Sequence, residues 1–390
     1  MTFQPAATLD EMLAIPVDTV LDGSLLEGGG QILRNSVALA ALLHKSLRIE
    51  RIRAGRAKPG LKAQHLCGLE LIADIRAATL YGGVVNSGTI VFVPPTSASS
   101  ASSSTASSPA QFHVDVMTAG SVCLLVQVSL PVLLFERTEC QVTMIGGTNA
   151  TGAPQVDYFT LVLAPMLQRM RVEFTADVVA RGYFPMGKGE VMLRTTPIDR
   201  KRGIAPITLT ERGHVNAVYI RSFTAGKLPA RLAREMSTAI EQRVRAFLLQ
   251  REPATAAAVQ FTADNVVETQ CVGNGCGTIV VAYTSTGCRI AASGLVERNQ
   301  RSDVVAAEVA TKLIEELTPA GACTDEYLQD QLIIFMALAA GKSQVRTGPL
   351  SLHTRTALHF VGQLTDAKFE VTAEGEQQNL IECEGISFGM

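Results

Sequence analysis

One order of predicted elements occurs three times along this chain, and it constrains the fold more than any other feature. Apolar periodicity predicts helix, strand, helix, strand, strand in each of three stretches. The predicted helices lie at 31–43 and 61–75, then 121–134 and 155–170, then 326–338 and 354–364, and three predicted strands accompany each pair. Each stretch can cover one sheet face with its own helices, so three units can pack around a shared core.

A chain of 390 residues exceeds the roughly 250–300 that one core usually supports, so more than one domain is expected. Residues 206–319 combine strands and apolar-faced helices in a different order, which predicts an inserted, smaller α/β domain. We therefore expect an α/β (α+β) protein with a main domain at 19–205 and 320–390. Residues 1–18 form an N-terminal extension in this interpretation. Residues 96–109 are almost all Ser, Ala and Thr and predict a flexible surface loop.

Composition excludes several classes of protein. No apolar run approaches the roughly 18–20 residues of a membrane span, and the N-terminus lacks a basic leader, so we expect a soluble intracellular protein. The formal net charge of −2 means that any nucleic-acid site must be a local basic patch. The eight cysteines include no C-x-x-C pair, which favours free thiols over a zinc site or a disulfide framework.

The first candidate site is residues 27–31 (EGGGQ), placed after a predicted strand and before a predicted helix. Gly28, Gly29 and Gly30 allow the backbone to approach a bulky anion, and a helix N-terminus attracts phosphate. Glu27 offers the hard oxygen ligands that a divalent metal prefers. A simple tight turn is the alternative reading of the same residues.

Residues 51–62 form the second candidate, with five positive side chains and no acid. Such a loop suits phosphate oxygens, which Arg can bind with two hydrogen bonds. Gln64 and His65 follow at the start of a predicted helix and add polar groups at the same point. For a charge run alone, a solvated basic loop is the more common explanation.

Two further motifs lie near the C-terminal end. Tyr327, Asp330 and Gln331 share one face of a predicted helix, where an aromatic ring, an acid and an amide could hold a nucleoside. His353 precedes another predicted helix, and a helix N-terminus favours the neutral, nucleophilic imidazole. The alternative is a helix-capping or structural histidine.

Together these motifs resemble the RNA 3′-terminal phosphate cyclase family over about residues 21–385. The strings that carry the resemblance are 27–34 (EGGGQILR), 52–56 (IRAGR), 58–61 (KPGL), 64–65 (QH), 118–125 (TAGSVCLL), 146–149 (GGTN), 326–331 (EYLQDQ) and 352–354 (LHT). The eukaryotic-type branch is the most similar, through 347–349 (TGP) and 352–357 (LHTRTA).

The resemblance implies three repeated βαβαββ units like the C-terminal domain of translation initiation factor 3, with a smaller inserted domain. It implies that a histidine attacks the α-phosphorus of ATP, that AMP passes to an RNA 3′-phosphate, and that the adjacent 2′-OH then closes a 2′,3′-cyclic phosphate. A divalent metal, Mg²⁺ or Mn²⁺, is required in this family. Nuclear residence, in the nucleoplasm, is implied more than cytoplasmic residence.

The resemblance also implies roles for individual residues. The nucleophile falls on His353 and the metal ligand on Glu27. The residues that it implies bind the adenylate are Gln127, Pro154, Tyr327, Asp330 and Gln331, with Pro154 and Tyr327 on either side of adenine. Those that match a phosphate- or RNA-facing group are Gly28, Gly29, Gly30, Arg34, Arg53, Arg56, Gln64 and His65.

This sequence departs from the family at Lys188, which interrupts three usual consecutive glycines in 182–189 (GYFPMGKG). Two other functions fit the repeated units. A non-catalytic, cyclase-like ribosome-assembly factor for rRNA processing would lack the histidine nucleophile. An enolpyruvyl transferase is similar in fold only and would need a phosphoenolpyruvate site.

Overall fold

The computed structural model describes residues 8–95, 108–319 and 321–390. The predicted loop at 96–109 therefore lies almost entirely outside the described residues, as do residues 1–7 of the predicted N-terminal extension. The rest of that extension contains a short helix, α1 (Leu9–Ala14). Thr8 caps it by accepting a hydrogen bond from Glu11 N, and the Glu11 carboxylate accepts one from Thr8 N.

A four-stranded sheet with two helices follows. Its elements in chain order are β1 (Thr19–Asp22), α2 (Gly30–Leu43), β2 (Leu47–Glu50), α3 (Ala63–Arg76), β3 (Thr79–Tyr81) and β4 (Ile90–Val93). The strand order is β1-β2-β4-β3, with β1 and β2 parallel and the other pairs antiparallel. The parallel pair needs a crossover, and α2 supplies it.

The next stretch has the same strand order. Its elements are β5 (Ala110–Asp115), α4 (Val122–Leu133), β6 (Cys140–Gly146), α5 (Val156–Tyr158), a π-helical turn (Phe159–Leu163), α6 (Ala164–Gln168), β7 (Phe174–Gly182) and β8 (Gly189–Thr195). The sheet reads β5-β6-β8-β7, again with a parallel first pair.

A short strand, β9 (Thr208–Leu209), precedes a segment with its own sheet and core. The elements of that segment are β10 (Val215–Ala225), α7 (Arg231–Arg251), α8 (Pro253–Ala256), β11 (Gln260–Glu268), β12 (Cys271–Val272), β13 (Gly275–Thr284), β14 (Arg289–Leu295) and α9 (Ser302–Leu317). The sheet order is β11-β10-β13-β14, while β12 pairs with β7. Its core includes Ile220, Met236, Val280 and Val309.

The chain then returns to the first arrangement. The last elements are α10 (Glu326–Leu338), β15 (Lys342–Thr347), α11 (Leu352–Leu364), β16 (Lys368–Ala373) and β17 (Asn379–Glu384). Strand β9 pairs in parallel with β15, so this sheet reads β9-β15-β17-β16. Its first strand therefore lies inside the range 206–319 that sequence assigns to the insertion, and more than 100 residues separate it from β15.

Helices from all three of these sheets pack on one another. Helix α2 contacts α3, α4 and α11, and α10 contacts both α11 and α4. One large apolar core joins them, including Leu39, Leu125, Phe335 and Phe360. The α/β class predicted from the sequence is confirmed. No described helix combines the length and apolar character that a membrane crossing requires.

Candidate active site

Helix N-termini meet at one place because α2, α3 and α11 belong to the same helical layer. Gly30 is the first residue of α2. A Cβ at this position would collide with His65 Nε2 in the first turn of α3 and would lie 2.9 Å from Arg34 Nη1. Only glycine lets the two helix starts approach so closely. Each helix start carries free N–H groups and a positive dipole end, so their meeting point favours an anion.

His353 lies in the first turn of α11, where two polar residues hold the backbone. Ser351 caps the helix, and its Oγ accepts a hydrogen bond of 3.1 Å from Thr354 N. Gln329 Oε1, from α10, accepts bonds from Ser351 N at 3.2 Å and from Thr354 Oγ1 at 2.8 Å. The start of α11 is therefore tied to α10, and His353 is presented on its exposed side.

A buried amide links the His353 ring to a carboxylate. Gln31 Oε1 lies 3.1 Å from His353 Nδ1, and Gln31 Nε2 donates to Asp330 Oδ2 at 2.5 Å. Because the carboxylate accepts from the amide nitrogen, the amide oxygen faces the imidazole. In this arrangement a neutral His353 ring that donates from Nδ1 to Gln31 Oε1 has its Nε2 lone pair free for attack on an electrophile.

The surroundings shift the pKa values of His353, His65 and Asp330 in different directions. The pKa of His353 is lowered, first because the protein displaces water from part of the ring; Glu27 opposes this shift, while Arg34 adds to it. Burial, with Arg34 and other cations, lowers the pKa of His65 to about 3, so that ring is neutral. Burial raises the pKa of Asp330 to about 7, despite attraction from Arg34.

Glu27 lies between α11 and the basic loop. Its backbone N–H donates to Thr356 Oγ1 at 3.2 Å, and its Oε1 accepts from Arg56 Nη2 at 2.5 Å. The other oxygen, Oε2, is buried with no hydrogen-bond partner. A buried, unpartnered carboxylate oxygen suits Mg²⁺, which is commonly held by one or two carboxylates together with substrate phosphate and water. Within the described ranges, no group of three or more His, Cys, Asp and Glu could hold a metal alone.

The basic residues predicted to face phosphate surround the same point. Arg56 is partly exposed, and its Nη2 also donates to Glu27 O at 2.7 Å. Arg53 donates to the carbonyls of Lys58 and Gly60, which stabilises the loop after β2. Burial lowers the pKa of Arg34, whereas Glu27 and Asp330 raise it. Attraction to Glu27 and Asp330 favours the charged form of the Arg34 guanidinium, which lies close enough to His353 to lower its pKa. A charged guanidinium can bind an anion at this point.

Three of the predicted adenylate residues line one small cavity. Gln127 from α4 meets Asp330 and Gln331 from α10 around a space of 30 Å³, with Gln31 and Asn35 on the α2 side. The space fits about one water molecule and is too small for a nucleobase. Gln331 Nε2 donates to Tyr327 O at 2.8 Å, while its Oε1 is buried without a partner. These amides are therefore available for the polar edge of a nucleoside lying against the cavity.

Tyr327 lies in the first turn of α10, and its ring packs edge to face on Tyr158, with centroids 5.7 Å apart. The pKa of Tyr327 is raised to about 12, mainly by burial, so the phenol is neutral. Pro154 is buried in the turn before α5, four residues ahead of Tyr158. Tyr158 thus connects the segment that carries Pro154 to the ring of Tyr327.

Gln64 has a different setting from the other predicted residues. Its Oε1 accepts a hydrogen bond of 3.3 Å from Ser121 N, just before α4. A Cβ on Gly120 would lie 2.9 Å from the same oxygen. Gln64 therefore joins the start of α3 to the loop between β5 and α4, next to His65 rather than next to His353.

The sequence analysis missed several residues of this site. Gln31 belongs to the 27–31 motif, but the sequence indicates no separate role for it. Gln329 lies in the 326–331 string, but the sequence indicates roles only for its neighbours Tyr327, Asp330 and Gln331. Nothing in the sequence singles out Tyr158, and Asp325 indicates only a helix cap, which it is. Tyr158 Oη also donates to Asp325 Oδ1 at 2.7 Å beneath Tyr327. Their pairing depends on tertiary structure alone.

Comparison with known proteins identifies the family. The sequence profile described as RNA 3′-terminal phosphate cyclase matches residues 25–371. A probable RNA 3′-terminal phosphate cyclase of Dictyostelium discoideum is 39% identical over 95% of this chain and 83% of its own length. The RNA 3′-terminal phosphate cyclase of Drosophila melanogaster is 34% identical over 94% of this chain and 96% of its own. The RNA 3′-terminal phosphate cyclase of Pyrobaculum aerophilum is 32% identical over 94% of this chain and 98% of its own length. The chain belongs to the RNA 3′-terminal phosphate cyclase family.

Proposed function

We propose that this protein converts an RNA 3′-terminal phosphate to a 2′,3′-cyclic phosphate at the expense of ATP, with His353 as nucleophile. The observation that carries the proposal is the hydrogen-bonded series from Asp330 through Gln31 to His353 Nδ1. It leaves Nε2 free at a point where three helix N-termini and several guanidinium groups favour phosphate. The names of the relatives support the same reaction.

The chemistry divides into three transfers at phosphorus. His353 Nε2 attacks the α-phosphorus of ATP, the bond to the β-phosphate bridging oxygen breaks, and pyrophosphate leaves. An oxygen of the RNA 3′-phosphate next displaces the imidazole from the adenylate, giving an RNA-3′-pp-5′-A end. The adjacent 2′-OH then attacks the RNA phosphorus and AMP leaves. Adenylation supplies a good leaving group, and proximity of the 2′-OH lowers the remaining barrier.

The chain's own residues stabilise charge in each transfer. Arg34 and Arg56, together with the backbone N–H groups after Gly28 and Gly29, would bind the phosphates. Arg53, Gln64 and His65 would bind the RNA phosphate from the α3 side. His65 is neutral, so it acts as a hydrogen-bonding group rather than a charge. For the adenosine, we propose stacking between Tyr327 and Pro154 and polar contacts to Gln127, Asp330 and Gln331.

A divalent metal, Mg²⁺ or Mn²⁺, would be held by Glu27 Oε2, the buried oxygen without a partner. When bound, it would neutralise negative charge on the triphosphate. Glu27→Gln keeps the shape and removes the charge. The metal concentration for half-maximal self-adenylation should rise about tenfold or more, since a neutral amide is a weaker ligand. A metal titration of the labelling reaction measures this, and an unchanged midpoint would remove Glu27 from the metal site.

We further propose that the three sheets with a common strand order are βαβαββ repeats of the type seen in the C-terminal domain of translation initiation factor 3. Residues 19–205 and 320–390 would form the catalytic domain, and 206–319 the inserted one apart from β9. The protein would act in the nucleus. Microscopy of the tagged protein in intact cells tests that location.

Self-adenylation tests the function directly. Purified protein is mixed with α-labelled ATP and metal, without RNA, and then with a 3′-phosphorylated RNA. We expect a labelled phosphoramidate that is acid-labile and alkali-stable, followed by transfer of the label to RNA. His353→Ala should abolish labelling. His359→Ala is the matched control, because His359 is an exposed histidine later in the same helix. Absence of label in the wild type would favour a non-catalytic relative.

A further inference from the structure

Two loops near the site expose large apolar side chains. Met117, in the loop after β5, is 82% exposed, and Phe184, between β7 and β8, is 81% exposed. Met186 in the second loop is 52% exposed. A single exposed apolar residue needs no explanation, but three on adjacent loops indicate a binding surface. We call Met117, Phe184 and Met186 the shelf.

The two loops touch through their backbones. A Cβ on Gly187 would lie 2.7 Å from Ala119 Cα and 2.7 Å from Thr118 O. Gly187 also has a φ of 65°, which favours glycine, and its N–H donates to Tyr183 O at 2.9 Å. The two loops that carry the shelf are therefore in direct contact.

The second loop is anchored beneath the shelf. Tyr183 is buried and stacks on Phe223 of β10, with ring centroids 5.9 Å apart. Tyr183 forms an isolated bridge with Gly187, and Phe184 begins the turn between them, where its ring is exposed. The anchor at Tyr183 fixes the start of the turn that carries Phe184, which lowers the cost of ordering this backbone around a ligand.

The shelf continues into the proposed RNA-phosphate site. Gly120 follows the Met117 loop, and its backbone lies against Gln64 at the start of α3. His65 and the cation Lys62 belong to the same helix start. Lys188 follows Met186 and is exposed, with a left-handed φ of 53°. An aromatic ring and thioethers flanked by cations suit a single-stranded nucleic acid, whose bases stack and whose phosphates need positive charge.

We propose that the shelf, with Lys188 at its edge, stacks nucleobases of the RNA just upstream of the terminal phosphate. The inference rests on the proposed function, since the 3′-phosphate would occupy the adjoining cationic site. Stacking accepts any base, so the shelf would bind RNA ends without reading their sequence. Lys188 would then contact a backbone phosphate of the same RNA.

The test combines a protein change with an RNA change. Phe184→Ala and Met117→Ala are compared with Leu249→Ala, an apolar residue on α7 that is half exposed. Each protein receives 3′-phosphorylated RNAs in which one of the last three bases is replaced by an abasic site. For intact RNA, the KM of Phe184→Ala should rise about tenfold, while self-adenylation without RNA stays unchanged. Leu249→Ala should match the wild type.

The abasic RNAs separate stacking from general damage. With wild-type protein, an abasic site at one of the three positions should raise the KM about tenfold. For Phe184→Ala, the KM for that abasic RNA should equal its KM for intact RNA. If no position behaves in this way, or if Phe184→Ala leaves the KM for intact RNA unchanged, the shelf is not a base-stacking surface. If the wild type fails to self-adenylate, the proposed function fails instead, which is a separate result.

Discussion

At the scale of single residues, the site depends on an amide that no local pattern reveals. Gln31 is 322 positions from His353 and 299 from Asp330, yet it is hydrogen-bonded to both. The sequence places the three residues in three separate motifs near helix starts and indicates no connection between them. Their connection arises because α2, α10 and α11 pack together, and that packing determines which imidazole nitrogen is free.

Gln31 should therefore act as a positioning residue. Gln31→Ala removes the group that orients the His353 ring and selects its tautomer, so the self-adenylation rate at saturating ATP should fall roughly 100-fold. The ATP concentration for half-maximal rate should change little, because the proposed contacts to adenosine come from other residues. Asn35→Ala, one turn further along α2 in the same cavity wall, is the control and should keep a near-normal rate. Equal losses in both variants would mean that the cavity has only a structural role.

The titration of Asp330 should make the free energy of unfolding depend on pH. Its pKa is raised from an ordinary 3.8 to about 7, first by burial, so the folded protein holds a proton that the unfolded chain releases. Its contribution to stability is therefore full at low pH and is lost as pH rises through 7. In Asp330→Asn that loss is absent. Relative to wild type, the variant should gain roughly 3 kcal/mol between pH 5 and pH 8.

Urea denaturation at the two pH values measures the effect of Asp330→Asn. The comparison uses the difference between variant and wild type at each pH, which removes contributions from every other titrating group. A difference that is the same at pH 5 and pH 8 would show that Asp330 is ionised in the folded protein throughout this range.

At the scale of elements, apolar periodicity and capping residues predict the position of most helices to within two residues. The prediction of a helix at 31–43 differs from the observed α2 (Gly30–Leu43) by one residue, because a glycine run and an apolar repeat mark its start. The helix predicted at 354–364 begins two residues earlier, where Ser351 supplies the cap. Helix 326–338 has the predicted bounds, with Asp325 as its cap.

Other elements could not be predicted from local patterns. The single helix expected at 155–170 is interrupted by the π-helical turn Phe159–Leu163, which brings Tyr158 beneath Tyr327. Strand β9 has only two residues, and its partner β15 lies beyond the inserted segment. Two residues carry too little periodicity for any sequence signal, so long-range pairing alone defines this strand.

The cap of α11 should influence the reaction because it fixes the start of the helix that bears His353. Ser351→Ala removes the oxygen that accepts from Thr354 N, which should cost about 1 kcal/mol of stability. The self-adenylation rate of Ser351→Ala should also fall. Ser351→Thr keeps the hydroxyl and should have the stability and the self-adenylation rate of the wild type. Thermal denaturation and labelling with α-labelled ATP give the two readouts. Loss of stability without loss of rate would contradict a positioning role.

At the scale of the whole molecule, a charged network joins residues 215–317, which the sequence predicts to be an inserted segment, to the sheet that contains β7. Arg181 of β7 makes two hydrogen bonds to Asp157, of 2.6 and 2.7 Å. Its Nε lies 3.3 Å from Glu268 of β11, which also accepts from Arg221 at 2.6 Å. All four side chains are largely buried. Strand β12, paired with β7, closes the same junction.

Asp157 should be the residue on which this junction depends. Burial opposes ionisation of Asp157, but the hydrogen bonds and charge of Arg181, with the charge of Arg221, outweigh it and lower the pKa. Its contribution to stability is therefore present above an ordinary pKa of 3.8 and is lost as pH falls below it.

Asp157→Ala leaves two buried guanidinium groups without this carboxylate, which should cost about 3–5 kcal/mol in urea denaturation at pH 7. Asp177→Ala breaks an exposed pair with Arg194 and should cost less than about 1 kcal/mol, since water already screens both charges. Similar small losses in the two variants would mean that solvent reaches the junction and that β-sheet pairing, rather than charge, holds the inserted segment in place. A large loss confined to Asp157→Ala would instead show that the buried ion network sets the stability of the contact on which both the Tyr183 anchor and the shelf above it rest.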